Sequence, residues 1–553
     1  LSTFLHLLTA VRSQANQGEC DSMDRFTRTA DIIKAYYSYK QTADSATFVK
    51  KVCSFFDFIK DESLSDADLN LLLFLANEAG IPQYYDLLKS KFTNAEIGDE
   101  SINSLTMSAL FHDASLIRGD SKLHRYQKHV LDSFVATQRN RYVLTAPTSF
   151  GKTFLVYEII QKMQYQNVLL IFPAISLLSE NYARLCSWEA FSDYAIHSLS
   201  EEEFDITQKN IFIFTPERFL SFMDSHQHLH FNFAFIDEVY KIDNSFVIDQ
   251  ETSGENERDT AYRLALEFIC NLTDNMLLAG PYMALPTAET ELHKSFNDFA
   301  RDNGFVFLRY NQFEIVSKEY TTVKSRQQYI IDNIPVEIGS ASKTQKIANI
   351  ILALSSPTEN TIIYCNRKSD TESYARQLLN NQELISIFQE RCSAVDAPVY
   401  EIFLEHLQNT FGDDWIVLKA LKGRIGIHHS LVPKYIQKEI ISLFNCGALI
   451  CLFSTTTITE GVNTSAKNII ITSGKKGTKN LRQFDAKNIA GRAGRFQQHY
   501  SGRVIDLNNG FEDIVNREPE LLEHKNYDIN APKTDVDYQL TKDQYLSGAD
   551  LLE

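Results

Sequence analysis

The stretch "TAPTSFGKT", Thr145 to Thr153, decides the fold. It follows the apolar run "YVL" and leads into "FLVYEII", whose apolar residues recur at helical spacing. A loop of this kind, between a buried strand and a helix, turns backbone N–H groups and the helix N-terminus toward an anion. Gly151 permits close approach, Lys152 supplies charge for outer phosphates, Thr153 supplies a hydroxyl for Mg²⁺, and Ser149 sits within the loop. Ala146 stands where the strict pattern has glycine. The loop by itself therefore leaves two readings open, a phosphate site and an ordinary strand-to-helix turn containing GKT.

A second element favours the phosphate site. In "FAFIDEVY", 85 residues beyond Lys152, an apolar strand delivers Asp237 and Glu238 to its C-terminal end, where ligands of open α/β sheets bind. On a strand neighbouring the loop, Asp237 would hold the metal through water and Glu238 would orient or deprotonate an attacking water. A third element, "NIAGRAGRF" at 488–496, lies some 340 residues past the lysine. Its two arginines, Arg492 and Arg495, are expected to project from a helix start toward a γ-phosphate held by another domain, where a guanidinium stabilises developing charge.

Around these motifs the chain alternates short apolar strands with helices: "YVLTAP", "VLLIFP", "IFIFTP", "FAFIDE", "MLLAGP", then "TIIYCN", "ALICLFS", "NIIITS" and "GRVIDL". Strands buried on both faces and separated by helices predict parallel sheets, in two tandem α/β domains. The expected divisions are a helical N-terminal region (1–120), a first domain (121–290), a mixed connector (291–340), a second domain (341–510) and an acidic extension (511–553). Helical periodicity marks "FTRTADIIKAYYSYKQ", "FVKKVCSFFDFIKD" and "LNLLLFLANEAG" in the first of these.

Formal charge is −17, but it is concentrated at the flanks: −6 over 1–120, −7 over 511–553 and −4 between. A near-neutral middle still accommodates a local basic groove for a polyanion. The eight cysteines are scattered without a CxxC pair, which disfavours zinc, an iron–sulfur cluster and a disulfide framework, and fits a reducing cytoplasm. No run of about 18 apolar residues predicts a membrane span. The opening "LSTFLHLLTAVRSQANQGEC" lacks a basic leader and is expected to be the edge of a trimmed chain.

With these motifs in this order, residues 121–507 resemble the superfamily 2 helicases, and most closely their Ski2-like branch. "APTSFGKT" is near that branch's "APTSAGKT", "DEVY" stands where "DEVH" is usual, "IHHSLV" resembles "FHHAGL", and "STTTITEGVN" resembles "TSTLAWGVN". The resemblance implies two RecA-like domains with ATP and Mg²⁺ between them and a single strand across them. It implies that Gln127 reads the adenine edge, and that Gly461, Asn463 and Asn488 lie near the nucleotide. It places Pro173, Thr215, Pro216 and Arg218 of the first domain, and Asn366, Arg367, His428, His429, Thr455 and Thr457 of the second, on the nucleic acid, which hydroxyls and amides grip without reading sequence. For the histidines a packed pair in a loop is the equal alternative.

Three departures stand out. Ala279-Gly280-Pro281 replaces the usual Ser-Ala-Thr relay, Tyr240 replaces a histidine, and Asn488 replaces a glutamine. Hydrolysis should survive these changes, whereas unwinding is less assured. The expected function is an ATP-dependent helicase or translocase moving 3′ to 5′ on single-stranded DNA in preference to RNA. The alternatives are an RNA helicase, or a nucleic-acid-sensing ATPase that regulates a bound effector such as a nuclease. In having this core beside an added helical N-terminal region, the chain also looks similar to the helicase subunit of Hachiman-type antiphage systems.

Overall fold

The computed structural model describes residues 19–92, 104–118, 121–226, 229–243, 257–285, 294–324, 328–331, 334–338, 342–395, 398–458, 464 and 466–521. The chain forms two compact units. The first contains the described residues up to Arg125 together with Phe313–Ser317 and Phe496–Ser501, and the second contains the remainder.

The first unit is helical, as its periodicity predicts. Helix Ser45–Ile59 buries Phe48, Val49, Val52, Cys53, Phe55, Phe56 and Ile59, and Asp44 starts it by accepting from the Thr47 N–H at 3.1 Å. Helix Asp66–Glu78 begins with a capping box in which Ser65 and Asp68 satisfy each other's backbone N–H groups.

The second unit carries two sheets. In the first, β1 (Arg141–Thr145), β2 (Asn167–Ile171), β3 (Tyr194–His197), β4 (Lys209–Phe214), β5 (Phe231–Ile236), β6 (Thr273–Gly280) and β7 (Val306–Arg309) lie in the order β3-β4-β2-β5-β6-β1-β7. Every pair is parallel. In the second, β8 (Ser317–Thr322), β9 (Thr361–Tyr364), β10 (Ile425–His428), β11 (Cys451–Ser454), β12 (Asn468–Ile471) and β13 (Ser501–Asp506) lie in the order β8-β13-β12-β9-β11-β10. From β13 to β10 the pairing is parallel. Central strands such as β1, β2 and β9 are buried along their whole length, so helices must cover both faces. The molecule is thus α/β, with two tandem RecA-like domains preceded by a helical region.

The mixed stretch between 290 and 340 contributes an edge strand to each sheet, β7 to the first and β8 to the second. After β1 the chain crosses to β2 on the far side of β5 and β6, creating a topological switch at the carboxyl ends of these strands. Among the described residues no helix is long and apolar enough to cross a membrane.

Candidate functional site

The loop after β1 makes a single 3₁₀ turn, Thr148–Phe150, and reaches Gly151 in the left-handed region at φ +77° before helix Lys152–Met163 begins. A Cβ at Gly151 would lie 2.7 Å from Gln127 Nε2, so a side chain there would have to displace that amide and adopt a strained backbone angle. Gln127 is buried against the loop and donates from that nitrogen to the Phe150 carbonyl at 2.9 Å. Lys152 folds back into the loop, its Nζ donating to the carbonyls of Ala146 (3.1 Å) and Pro147 (3.0 Å). Burial pulls its pKa down, against the opposing pull of Asp237 and Glu238. Ser149 and Thr153 flank this cradle, both half-buried.

Asp237 and Glu238 follow β5 directly. They are not on a strand adjacent to the loop, as the sequence suggested, because β6 lies between β5 and β1. The interposition follows from the crossover to β2, which leaves two places between the strands. Burial lifts the Asp237 carboxyl to about 7, with Glu238 adding to the rise and Lys152 opposing it. Glu238 adopts φ +54°, a left-handed conformation uncommon for glutamate, and donates its N–H to Asp237 Oδ1 at 3.0 Å. Its Oε2 is buried with no hydrogen-bond partner among the described residues.

The arginine motif arrives from the second sheet. It does not open a helix, as expected, but follows the C-terminal end of helix Gln483–Ala490. Gly494, at φ +74°, turns the chain out of helical geometry there. The turn is fixed by backbone pairing: the Ala466 N–H donates to the Arg492 carbonyl at 3.0 Å, and the Gly494 N–H to the Ala466 carbonyl at 2.6 Å. Arg492 Nη1 reaches the Thr464 carbonyl at 3.4 Å. Burial lowers the pKa of its guanidinium while Glu238, Tyr240 and Tyr282 support its charge, and that charge registers in turn at Lys152. Arg495 follows Gly494 in the same turn and is half-buried, and Asn488 is buried in the preceding helix.

Residues overlooked in the sequence complete this approach of the two sheets. Thr148 Oγ1 donates to the Gly491 carbonyl at 3.2 Å. Tyr282, just after Ala279-Gly280-Pro281, faces Arg492 and lies 5.8 Å beneath Lys487 Nζ, and the Tyr240 ring packs 4.6 Å from Phe484. A hydroxyl beside the glycine loop was the available signal for Thr148. Tyr282 gave none, because its role depends on the opposing sheet.

The expected strand contacts also sit at carboxyl ends. Pro173 follows β2, Thr215 and Pro216 follow β4, Asn366 and Arg367 follow β9, His428 ends β10, and Thr455 and Thr457 follow β11. Thr215 caps the helix Pro216–Ser225 through the Arg218 N–H at 3.4 Å, and Arg218 Nη1 donates to the Ser198 carbonyl at 3.1 Å. Asn366 Nδ2 reaches the Gly477 carbonyl at 3.3 Å, while Arg367 is exposed. His428 Nδ1 is 3.0 Å from Thr457 Oγ1, and His429 Nε2 is 3.3 Å from Glu372 Oε1. Both histidines are buried, His428 within a strand and not in a loop. Gly461 and Asn463 lie outside the described residues.

Do these groups fit a nucleoside triphosphate with Mg²⁺? The glycine cradle, the lysine held by loop carbonyls, and the Glu238 oxygen without a hydrogen-bond partner among the described residues all suit a phosphate-and-water ligand. Among the described residues no three His, Cys, Asp or Glu side chains gather as a metal cage.

Comparison with known proteins gives a family model, "Type III restriction enzyme, res subunit", that matches residues 120–270. Anti-bacteriophage protein B of Escherichia coli (strain K12) is 26% identical over 438 residues, covering 79% of this chain and 53% of that protein. Helicase POLQ-like of Drosophila melanogaster is 22% identical over 421 residues, covering 72% and 38%. The human exosome RNA helicase MTR4 is 31% identical over 160 residues, covering 26% and 14%. The chain therefore spans about half the length of the first of these relatives and less of the others.

Proposed function

We propose that the chain is a superfamily 2 helicase, as its similarity to helicase relatives supports, and that it hydrolyses ATP in the cleft between its two sheets and couples hydrolysis to movement along single-stranded nucleic acid. The observation that carries this reading is the convergence of Lys152, Asp237 and Glu238, at the carboxyl ends of β1 and β5, with Arg492 from the other sheet.

Bound MgATP would supply the scissile phosphoanhydride. Toward it, the Gly151 backbone and Lys152 would hold the outer phosphates, and Gln127 would face the base. Thr153 and Asp237 hold the metal side. Glu238, with one oxygen unpartnered, orients a water and takes its proton. Arg492 and Arg495 would meet charge developing on the transferred group. Because Arg492 comes from the second sheet, closure and hydrolysis depend on each other. Pro173, Thr215, Pro216, Arg218, Asn366, Arg367, Thr455 and Thr457 would grip a strand's backbone, and His428 and His429 shape the second domain's part of that track.

Single-stranded DNA is preferred to RNA in this reading, with movement 3′ to 5′ as in the resembling branch, inside the cytoplasm. The division into 1–120, 121–290, 291–340, 341–510 and 511–553 is the corresponding domain assignment. The name of the E. coli relative supports a role in antiphage defence. The test is ATP hydrolysis with and without single strands: Lys152→Ala should abolish it, and a variant turning over at the wild-type rate would refute the proposal.

A second reading is favoured by one observation. Ala279-Gly280-Pro281 offers no hydroxyl at the end of β6, where strand grip would be relayed. An ATPase that senses nucleic acid and regulates an effector such as a nuclease would need no such relay. Stimulated hydrolysis without ATP-driven strand displacement would select it.

A further inference from the structure

The helical unit closes around two pieces of chain that come from elsewhere in the sequence. Phe313–Ser317 is the crossing from β7 of the first sheet to β8 of the second, and Phe496–Ser501 begins immediately after Arg495 and runs into β13. The helices bind both pieces through the same few side chains. Tyr84 Oη donates to the Ile315 carbonyl at 2.7 Å, and Tyr500 Oη donates to the Tyr84 carbonyl at 2.6 Å. Cys53 Sγ donates to the Tyr500 carbonyl at 2.8 Å, and the Ser317 N–H reaches that carbonyl at 3.0 Å. Ser501 Oγ donates to Asp57 Oδ2 at 2.5 Å, and Lys60 holds the other Asp57 oxygen at 2.8 Å. Around this network the Tyr500 ring packs on Phe56, Tyr84 and Phe92 at centroid distances of 5.4, 6.0 and 5.8 Å.

Tyr84, Tyr500, Cys53 and Ser501 are at most 2% exposed. Buried polar groups bonded this way cannot exchange their partners for water, so the crossing and the strap move together or not at all. A hinge is a short segment that absorbs the backbone change of domain closure, and here it is tied to the strap that carries the arginine turn.

We propose that this knot makes the helical unit the positioning element for hydrolysis. By fastening Ile315–Ser317 to Tyr500–Ser501, it sets how far the Arg492–Arg495 turn reaches toward the Lys152 loop. Asp57, Tyr84 and Tyr500 are positioning residues, since they act through the chain that bears the arginines. The inference rests on the ATPase reading above.

The test uses the full chain, with kcat and KM for ATP measured alone and with an oligothymidylate strand. Asp57→Ala strips the Ser501 hydroxyl of its acceptor and should lower kcat about tenfold with KM held within about twofold, since misplacement of a catalytic group acts on turnover. Asp57→Asn restores an acceptor and should recover most of that loss, which a general loss of folding would not do. If Asp57→Ala does not fold, Tyr500→Phe decides, because it removes one hydroxyl and keeps the ring in its cluster. Folded variants that turn over at the wild-type kcat, or that change KM alone, overturn the inference. Lys152→Ala serves as the control: hydrolysis surviving there brings down the ATP-site reading itself, a result separable from failure of the knot.

Discussion

Gln127 and Gly151 constrain each other, since the amide of one occupies the space a side chain on the other would need. Gly151→Ala should therefore suffer twice, from a left-handed backbone costing about 1 kcal/mol for an L-residue and from the clash with Gln127. Gln127→Ala keeps the backbone but loses a buried hydrogen bond to Phe150, worth about 1 kcal/mol, and with it the group proposed to face a base. ATP hydrolysis in this variant should show KM raised about tenfold and weakened preference for ATP over GTP; unchanged nucleotide preference would remove Gln127 from the site. His428 lends itself to a test by pH. Burial, then Lys434 and His429, hold its pKa down to about 4, below the ordinary 6.5. Between those values the unfolded chain takes up a proton that the folded chain refuses. Stability is therefore complete above pH 6.5 and is lost as pH falls toward 4, by about 3 kcal/mol. His428→Gln should flatten this part of the pH dependence of thermal unfolding relative to wild type, and parallel curves would show that His428 does not carry it.

The turn holding Arg492 and Arg495 is an element built by close backbone approach. A Cβ on Gly502 would lie 2.3 Å from the carbonyl carbon and oxygen of Ala493, so β13 passes the turn only because that position has no side chain. Gly502→Ala should cost about 1–3 kcal/mol of stability by overpacking. It should also lower kcat at least about tenfold while the Lys152 loop still binds nucleotide. Equilibrium binding of a fluorescent ATP analogue beside turnover checks this, and a folded variant with wild-type kcat would deny the turn its role. The turn also shows why some elements were legible in the sequence and others were not. Strands β1, β2 and β5 were visible because burial on both faces demands unbroken apolar runs. Strands β3, β7 and β8 are half-exposed edges with mixed residues, and "IGIH" of β10 breaks its run with Gly426, so periodicity gave them no contrast. The arginines were legible as a motif, yet their place after a helix was not. Gly491 keeps helical backbone angles whereas Gly494 is left-handed, a distinction carried by backbone angle and not by residue type.

Across the whole molecule, the chemistry of each carboxyl-end loop was legible, while the contacts joining the two sheets were not. Thr148 to Gly491 and Tyr282 beside Arg492 exist only because segments more than 200 residues apart meet. Charge poses the same problem at larger scale, since a net −17 says little about a groove lined by few ions. The proposed strand contacts are mostly hydroxyls, amides and backbone, with Arg218 and Arg367 the cations among them, and Arg218 already bonds Ser198. Affinity for single strands falls with salt in proportion to the phosphates neutralised by cations, with a slope of about −0.7 for each. If these residues form the track, the logarithm of affinity against the logarithm of salt should fall with a shallow slope of about −1.4. ATPase stimulation titrated with matched DNA and RNA single strands at several salt concentrations measures it, and should favour DNA. A slope steeper than about −4 would place the main contacts on a basic surface outside this track. Equal stimulation by both sugars at a shallow slope would keep the track and remove the preference for DNA, because hydroxyls and amides that grip phosphate do not sense the 2′ position.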